Sequence, residues 1–238
     1  MKGYTVFQSV LFFRPPRQYL HASLTLIAFL QWGNLPALAQ TGDRDYYAPR
    51  TNNEQVTLLK NVEDYHLGPG QEKMAKRFYP SAQQEFEFIL RYFPNHPKAL
   101  SLLSDLCWQW PVRTCNADAW FEKAIKRNPD VSHTYLVYGI HLHRKKQLKE
   151  AVQAYRRALE LAPDSMNTHY NLGLAYTDLQ QYDLANQHAQ TSYQLGAFTP
   201  GLRNRLEKVG KWNPTISAPP SDVKRAGEPV PEVEKTPD

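Results

Sequence analysis

Two cysteines are the most reactive side chains in the sequence. Cys107 and Cys115 lie eight positions apart and are the only cysteines among the 238 residues. In an oxidising compartment such a pair is expected to form a disulfide that closes a small loop. Redox relays usually keep two residues between their cysteines, so this spacing favours a structural disulfide. A thiol-active accessory factor is the alternative.

Histidines could bind a metal ion or act as a base. His141 and His143 are two positions apart and would point in different directions on a helix. His169 and His188 fall on different predicted helices, and His169 occupies a packing position, which predicts a core histidine. No histidine–carboxylate pair has the spacing of a zinc site, so we predict no metal.

Patterns typical of catalysis do not stand out. The sequence contains no nucleophile–base motif, no phosphate-cradling glycine loop and no paired carboxylates. Ser104 and His133 are isolated candidates. We therefore predict a protein that is not an enzyme and uses no cofactor.

Basic residues form one local cluster. The formal net charge is +5, from 28 basic and 23 acidic residues. An ordinary solvated turn is the favoured explanation of this cluster. The alternative is a weak contact with an acidic protein or an anionic membrane surface through Arg144, Lys145, Lys146 and Lys149. No nucleic-acid-binding motif accompanies them, so nucleic acid is not an expected partner.

The first 39 residues have the pattern of an export signal. They carry three basic and no acidic side chains, an apolar stretch from Leu20 to Leu30, and small residues at Ala37 and Ala39. We predict cleavage after Ala39 and a periplasmic or secreted protein. An uncleaved inner-membrane anchor is the alternative. Without this segment 25 basic residues face 23 acidic ones, so most of the basic excess belongs to the signal.

The middle of the chain repeats with a period near 34 residues. Alanines at 82, 117, 151 and 185 open four similar segments. Prolines close the first three segments at 94, 129 and 163. A second pattern, centred on the small residues Ser104, Gly139 and Gly173, precedes the last three segments. Each unit is therefore predicted to be two helices joined by a turn, and a fixed period of this length is typical of stacked helical hairpins.

Residues 170–176 and 150–163 carry a family resemblance. Their sequences, YNLGLAY and EAVQAYRRALELAP, resemble the tetratricopeptide repeat (TPR). The resemblance covers about 68–197 and is partial for 68–96, where only a short leading helix is expected. It implies an all-α, TPR-type solenoid of about 3.5 repeats.

The resemblance also implies a function. TPR stacks hold a protein or peptide partner in a concave groove lined by the leading helices, and this chain would be an exported adaptor in assembly of a cell-envelope complex. The expected groove residues are Lys98, Asp105 and Trp108, then His133, Leu136, Ile140, His143 and Arg144, and finally Asn167, Tyr170, Asn171 and Leu174. The lysine–asparagine pair of carboxylate-binding TPR proteins is missing from the first of these helices, so that mode of recognition is not expected.

Segments outside the repeats complete the predicted organisation. Residues 40–52 are expected to be a linker, and 53–66 a helix with Val56, Leu59 and Val62 on one side. Residues 200–212 are expected to form a capping helix that buries Leu202, Leu206 and Val209. Residues 213–238 are proline-rich and predicted to be disordered. The solenoid domain is thus predicted to span 53–212, and an uncleaved N-terminus would make it a membrane-tethered scaffold.

Overall fold

The computed structural model describes residues 44–214, all of whose regular structure is helical. The predicted signal segment and nearly all of the predicted C-terminal tail lie outside these residues. The helices are α1 (Asn53–Val62), α2 (Gly68–Ala75), α3 (Tyr79–Tyr92), α4 (Pro97–Gln109), α5 (Ala117–Arg127), α6 (Ser132–Arg144), α7 (Leu148–Leu161), α8 (Met166–Asp178), α9 (Tyr182–Gln194) and α10 (Gly201–Lys208).

The helices pair into hairpins that stack in chain order. The pairs are α2 with α3, α4 with α5, α6 with α7 and α8 with α9, and each hairpin contacts the next. The leading helices also touch one another, since α6 contacts both α4 and α8. This arrangement confirms the predicted all-α solenoid of helical hairpins. None of the helices in 44–214 is long and apolar enough to cross a bilayer.

The leading helix of the first hairpin, α2, has eight residues and is short, as predicted, but it is continuous with α1. A π-helical turn, Glu63–Leu67, joins α1 directly to α2, so the helix continues through Gly68 and Pro69. Proline lacks an N–H donor, and the wider turn just before Pro69 accommodates that loss. Gly70 then lies against the Phe86 ring, with 2.5 Å from an added Cβ to the ring Cε1 atom. Gly70 precedes Ser104 by 34 positions and is the small residue of this repeat.

Three hairpin turns share one backbone motif. Arg77, Lys146 and Gln180 each adopt a left-handed conformation, with φ between 61° and 63°. The following N–H donates to the carbonyl five residues back, as from Gln147 to Leu142 at 3.0 Å. These are Schellman turns, which satisfy helix-end carbonyls and reverse the chain within three residues.

The capping helix is shorter than expected. α10 ends at Lys208, and its Leu202 and Leu206 are fully buried against α8 and α9. Val209 was expected to be buried with them but is 46% exposed, because the chain turns at Gly210 with φ of 67°. At the other end Leu59 and Val62 are buried, whereas Val56 is 49% exposed.

Part of the predicted linker packs on the solenoid. The Asp45 carboxylate accepts hydrogen bonds from the side-chain amides of Asn95 and Asn128, each at 2.6 Å. The Tyr46 N–H donates to Asn95 at 2.8 Å. Asn95 and Asn128 adjoin two of the repeat-closing prolines, so residues 44–46 tie together the ends of two successive hairpins. This contact joins residues about 50 and 83 positions apart, and sequence patterns carry no signal for it.

Candidate partner-binding face

The leading helices place the predicted groove residues on neighbouring surfaces. We call the set of predicted groove residues on α4, α6 and α8 the leading-helix face. Its exposed members are Lys98, Trp108, His133, Arg144 and Asn167. Its half-buried members are Asp105, Ile140, His143, Tyr170, Asn171 and Leu174.

Leu136 is not available on this face, contrary to expectation. It is only 6% exposed and belongs to the core formed from α6 to α10. The physical reason is that α6 has leading helices on both sides, so less of its surface reaches solvent. Ile140 and Leu174 pack against the same core and expose only part of their side chains.

Tyr170 is partly covered by the capping helix. Its hydroxyl accepts a hydrogen bond from the Leu202 N–H at 3.2 Å and lies beside Gly201. The neighbouring Asn171 amide donates to the Asn167 carbonyl at 2.8 Å, one helical turn back. Tyr170 therefore holds α10 in place, and changing it would disturb the cap as well as the surface.

Charged side chains of the face pair across the leading helices. Arg144 forms an ion pair with Asp105 on α4, and His143 contacts Asp178 on α8 at 2.9 Å. Asp178 also pairs with Arg205 of α10. Burial raises the pKa of Asp178, but hydrogen bonds and charge from His143 and Arg205 outweigh burial and hold that pKa below its ordinary value. The sequence gives no signal for Asp178. It is the last residue of α8, and its two partners, His143 and Arg205, lie on other helices.

A pocket opens beside this face. Its volume is about 400 Å³, and it lies between the ends of α4 and α6, the start of α5 and the α4–α5 connection. Trp108 and Arg144 of the leading-helix face form part of its wall, together with Pro111, Val112 and Arg113 from the connection.

A chain of hydrogen bonds forms the polar side of the pocket. The Ser104 hydroxyl is 2.9 Å from His141 Nδ1, and His141 Nε2 is 3.1 Å from the Asp118 carboxylate. Lys145 Nζ donates to the other Asp118 oxygen at 2.7 Å. Because a carboxylate only accepts, His141 Nε2–H donates to Asp118 and its Nδ1 accepts from Ser104. Burial lowers the pKa of His141 and keeps the ring neutral near pH 7.

The order serine–histidine–aspartate has a structural explanation. Ser104 is 2% exposed and occupies the small-residue position that glycine takes in the other hairpins. At this position its hydroxyl bonds to His141 of α6, which in turn bonds to Asp118 of α5, so the three side chains connect three helices. Ser104 looks isolated in the sequence because His141 and Asp118, the other members of this chain of hydrogen bonds, lie 37 and 14 positions away on other helices.

The disulfide cysteines form part of the same wall. In the structure Cys107 and Cys115 are bonded, with their Cα atoms 5.3 Å apart. The bond ties the last turn of α4 to the residue before the α5 cap, Asn116, whose side chain accepts from the Ala119 N–H at 3.2 Å. Trp108, next to the bond, is 58% exposed.

Two further histidines lie in the core of the second half of the stack. His169 and His188 are 3% and 0% exposed, and their Nδ1 atoms are 2.8 Å apart. His169 Nε2–H donates to the Pro163 carbonyl at 2.8 Å, so its Nδ1 accepts a hydrogen bond from His188 Nδ1–H. Within residues 44–214 no three histidine, cysteine, aspartate or glutamate side chains are grouped as metal ligands would be.

The basic cluster is partly neutralised by acids from other helices. Arg144 and Lys145 pair with Asp105 and Asp118, whereas Lys146 and Lys149 are exposed. The sequence around the cluster shows only Glu150 as an acid, because the other two lie on α4 and α5.

Comparison with known proteins identifies the repeats. Residues 141–180 match the family model described as a TPR repeat. The chain is 29% identical over 108 residues to the protein O-mannosyl-transferase TMTC3 of Mus musculus, covering 45% of this chain and 12% of that protein. It is 32% identical over 75 residues to the peroxisomal targeting signal receptor of Candida glabrata, covering 32% of this chain and 13% of that protein.

The fold also has a solved counterpart. PilF of Pseudomonas aeruginosa superposes with a TM-score of 0.51 at 20% identity, over 64% of this chain and 71% of that chain. The matched model shows that residues 141–180 contain a tetratricopeptide repeat, and the superposition on PilF shows that residues 44–214 share its fold of stacked helical hairpins.

Proposed function

We propose that this chain is a non-enzymatic adaptor that holds a protein or peptide partner against its leading-helix face. The observation that carries the proposal is a set of exposed side chains on three neighbouring leading helices: Lys98 and Trp108 on α4, His133 on α6 and Asn167 on α8. Trp108 supports it further, because a large aromatic left 58% exposed is typical of a binding anchor.

The similarity to known proteins supports peptide recognition and no more. The Candida glabrata relative is named as a receptor for a targeting signal, and 75 residues of this chain resemble it. The match to the O-mannosyl-transferase involves 12% of that protein, and we propose no transferase activity for this chain.

Photo-crosslinking tests the adaptor role. A photoreactive residue placed at position 98 or 133 should form crosslinks to the same partner in the native cell, identified by mass spectrometry. The matched control is position 126, an exposed lysine on the trailing helix α5. Equal crosslinking from all three positions would contradict a specific face.

Substitution provides a second test of the same proposal. His133→Asp and Trp108→Ala should each reduce partner capture without lowering thermal stability, because both side chains are exposed. Tyr170 and Leu136 are unsuitable for this purpose, since one holds the cap and the other lies in the core. Unchanged capture by both variants would rule out the face.

Export to the cell envelope is part of the proposal. The basis is the signal-like sequence of residues 1–39. N-terminal sequencing of the protein from its own cell should find Gln40 as the first residue. An intact Met1 on a membrane-associated chain would favour a tethered scaffold.

We also propose that Cys107 and Cys115 are bonded in the exported protein. Their geometry fits a disulfide, with 5.3 Å between Cα atoms. Thiol labelling under non-reducing conditions should leave both unmodified. Two reactive thiols would instead favour the thiol-active accessory role.

A further inference from the structure

The pocket beside the leading-helix face is produced by one irregular hairpin. Seven residues, 110–116, connect α4 to α5, whereas three residues connect α6 to α7 and three connect α8 to α9. The Cys107–Cys115 bond ties the end of this longer connection to the last turn of α4. The space that it encloses is lined by residues of α4, α5 and α6.

Part of the pocket lining is apolar. Trp108, Pro111 and Val112 form this part, and Trp108 remains 58% exposed to solvent. An indole left in this position offers a large surface for an apolar side chain of a ligand. A volume of about 400 Å³ is enough for one such side chain and its backbone.

The polar part of the lining carries an excess of positive charge. Arg113, Arg144 and Lys145 line the pocket, and Asp118 is the acid among the lining residues. Lys145 pairs with Asp118, and Arg144 pairs with Asp105 nearby. Arg113 is exposed and forms no ion pair with any residue in 44–214. A ligand carboxylate would give Arg113 a partner.

We propose that this pocket binds an acidic segment of the partner protein, with an apolar side chain against Trp108 and Val112 and an adjacent carboxylate on Arg113. This inference rests on the proposed adaptor function and names the chemistry of the partner. Hydrogen bonds from the buried Ser104 to the buried His141, and from His141 to the partly exposed Asp118, connect the three helices that form the walls.

Three blocked tripeptides test the two halves of the site. The probes are N-acetyl-Glu-Leu-Glu-amide, the same peptide with glutamine for both glutamates, and the same peptide with alanine for leucine. Added to the full chain, the first should shift the NMR signals of the Trp108 indole and Val112, and the other two should bind more weakly.

Variants locate the binding. Arg113→Gln should weaken the first probe about two- to five-fold, the range expected for one solvent-exposed ion pair, and leave the glutamine probe unchanged. Val112→Asp should abolish binding of the first and second probes. Lys149→Gln, an exposed lysine in the next hairpin, is the matched control and should have no effect.

Several results would overturn the inference. These are equal affinity for the glutamate and glutamine probes, an equal loss in Lys149→Gln, or no shift at Trp108 and Val112. The chain also has an acidic valine-containing segment of its own, 228–234. If deleting 215–238 moves the Trp108 and Val112 signals, that segment is the occupant and the partner assignment is wrong.

The outcome is separable from the adaptor proposal. If the probes do not bind while crosslinks from positions 98 and 133 persist, the pocket proposal is wrong and the adaptor proposal is retained. If no specific crosslinks form and the probes do not bind, both proposals are wrong.

Discussion

At the residue scale, the stack depends on a small residue facing a large one inside each hairpin. Gly139 on α6 lies against the Tyr155 ring on α7, and Tyr155 is fully buried. An added methyl group on Gly139 would lie 2.5 Å from the ring Cδ1 atom. A ring enclosed on all sides cannot move aside as the end of a flexible side chain can, so a methyl group at this position overpacks the core.

Gly139→Ala should therefore lower the free energy of unfolding by about 1–3 kcal/mol, the usual cost of overpacking a core. The helix propensity of alanine offsets part of that cost. Urea denaturation measures the change. In a Tyr155→Leu background the same substitution should cost less, because the ring is gone. Additive losses in the double variant would contradict the assigned contact.

At the element scale, the hairpin turns determine how closely successive helices approach. Lys146 closes the α6–α7 turn with φ of 63°, a conformation that is unfavourable for residues with a Cβ atom. The turn is nevertheless formed because Gln147 N–H and Lys146 N–H satisfy the last carbonyls of α6. Local strain at one residue is thus offset by the hydrogen bonds that end the helix.

Lys146→Gly should raise the free energy of unfolding by up to about 1 kcal/mol, since glycine adopts this conformation without strain. The matched control is Lys149→Gly, in the first turn of α7, which should lower it by about 0.5–1 kcal/mol because glycine is a poor helix former. Thermal and urea unfolding of the two variants provide the comparison. Destabilisation by both would show that the turn does not hold Lys146 in the left-handed conformation.

At the scale of the whole molecule, two cores are joined through α6. One core extends from α1 to α6 and the other from α6 to α10, and Tyr138 packs against both. Buried histidines lie at the helix contacts, including His96 and His141 at 1% and 6% exposure. Burial lowers the pKa of both rings, so each remains neutral in the folded chain at a pH where the unfolded chain takes up protons.

Acidification should therefore destabilise the protein before its carboxylates titrate. As pH falls below the ordinary histidine pKa of 6.5, the unfolded state binds more protons than the folded state, and the free energy of unfolding decreases. Asp118 and Asp178 have lowered pKa values, so their contribution is lost only as pH falls below 3.8.

His141→Gln should make the decline between pH 7 and pH 5 shallower, because one of the proton-binding rings is removed. The polar and charged groups around His141 include Ser104, Asp118, Arg144 and Lys145, and the rings of Phe121 and Tyr138 lie beside it. Urea denaturation at pH 7.5, 6.5 and 5.5 measures the slope. Lys149→Gln should keep the parent slope, and an identical slope in both variants would exclude a contribution from His141.

The sequence by itself determined the repeat period, the TPR fold and the helix faces that pack, because spacing along a helix fixes which side chains share a face. It could not determine what covers each face. Leu136 is buried between neighbouring leading helices, α10 covers Tyr170, and Arg144 pairs with Asp105 from 39 positions away. The pocket, too, exists only in the tertiary structure, because its walls come from four segments that the chain brings together by stacking.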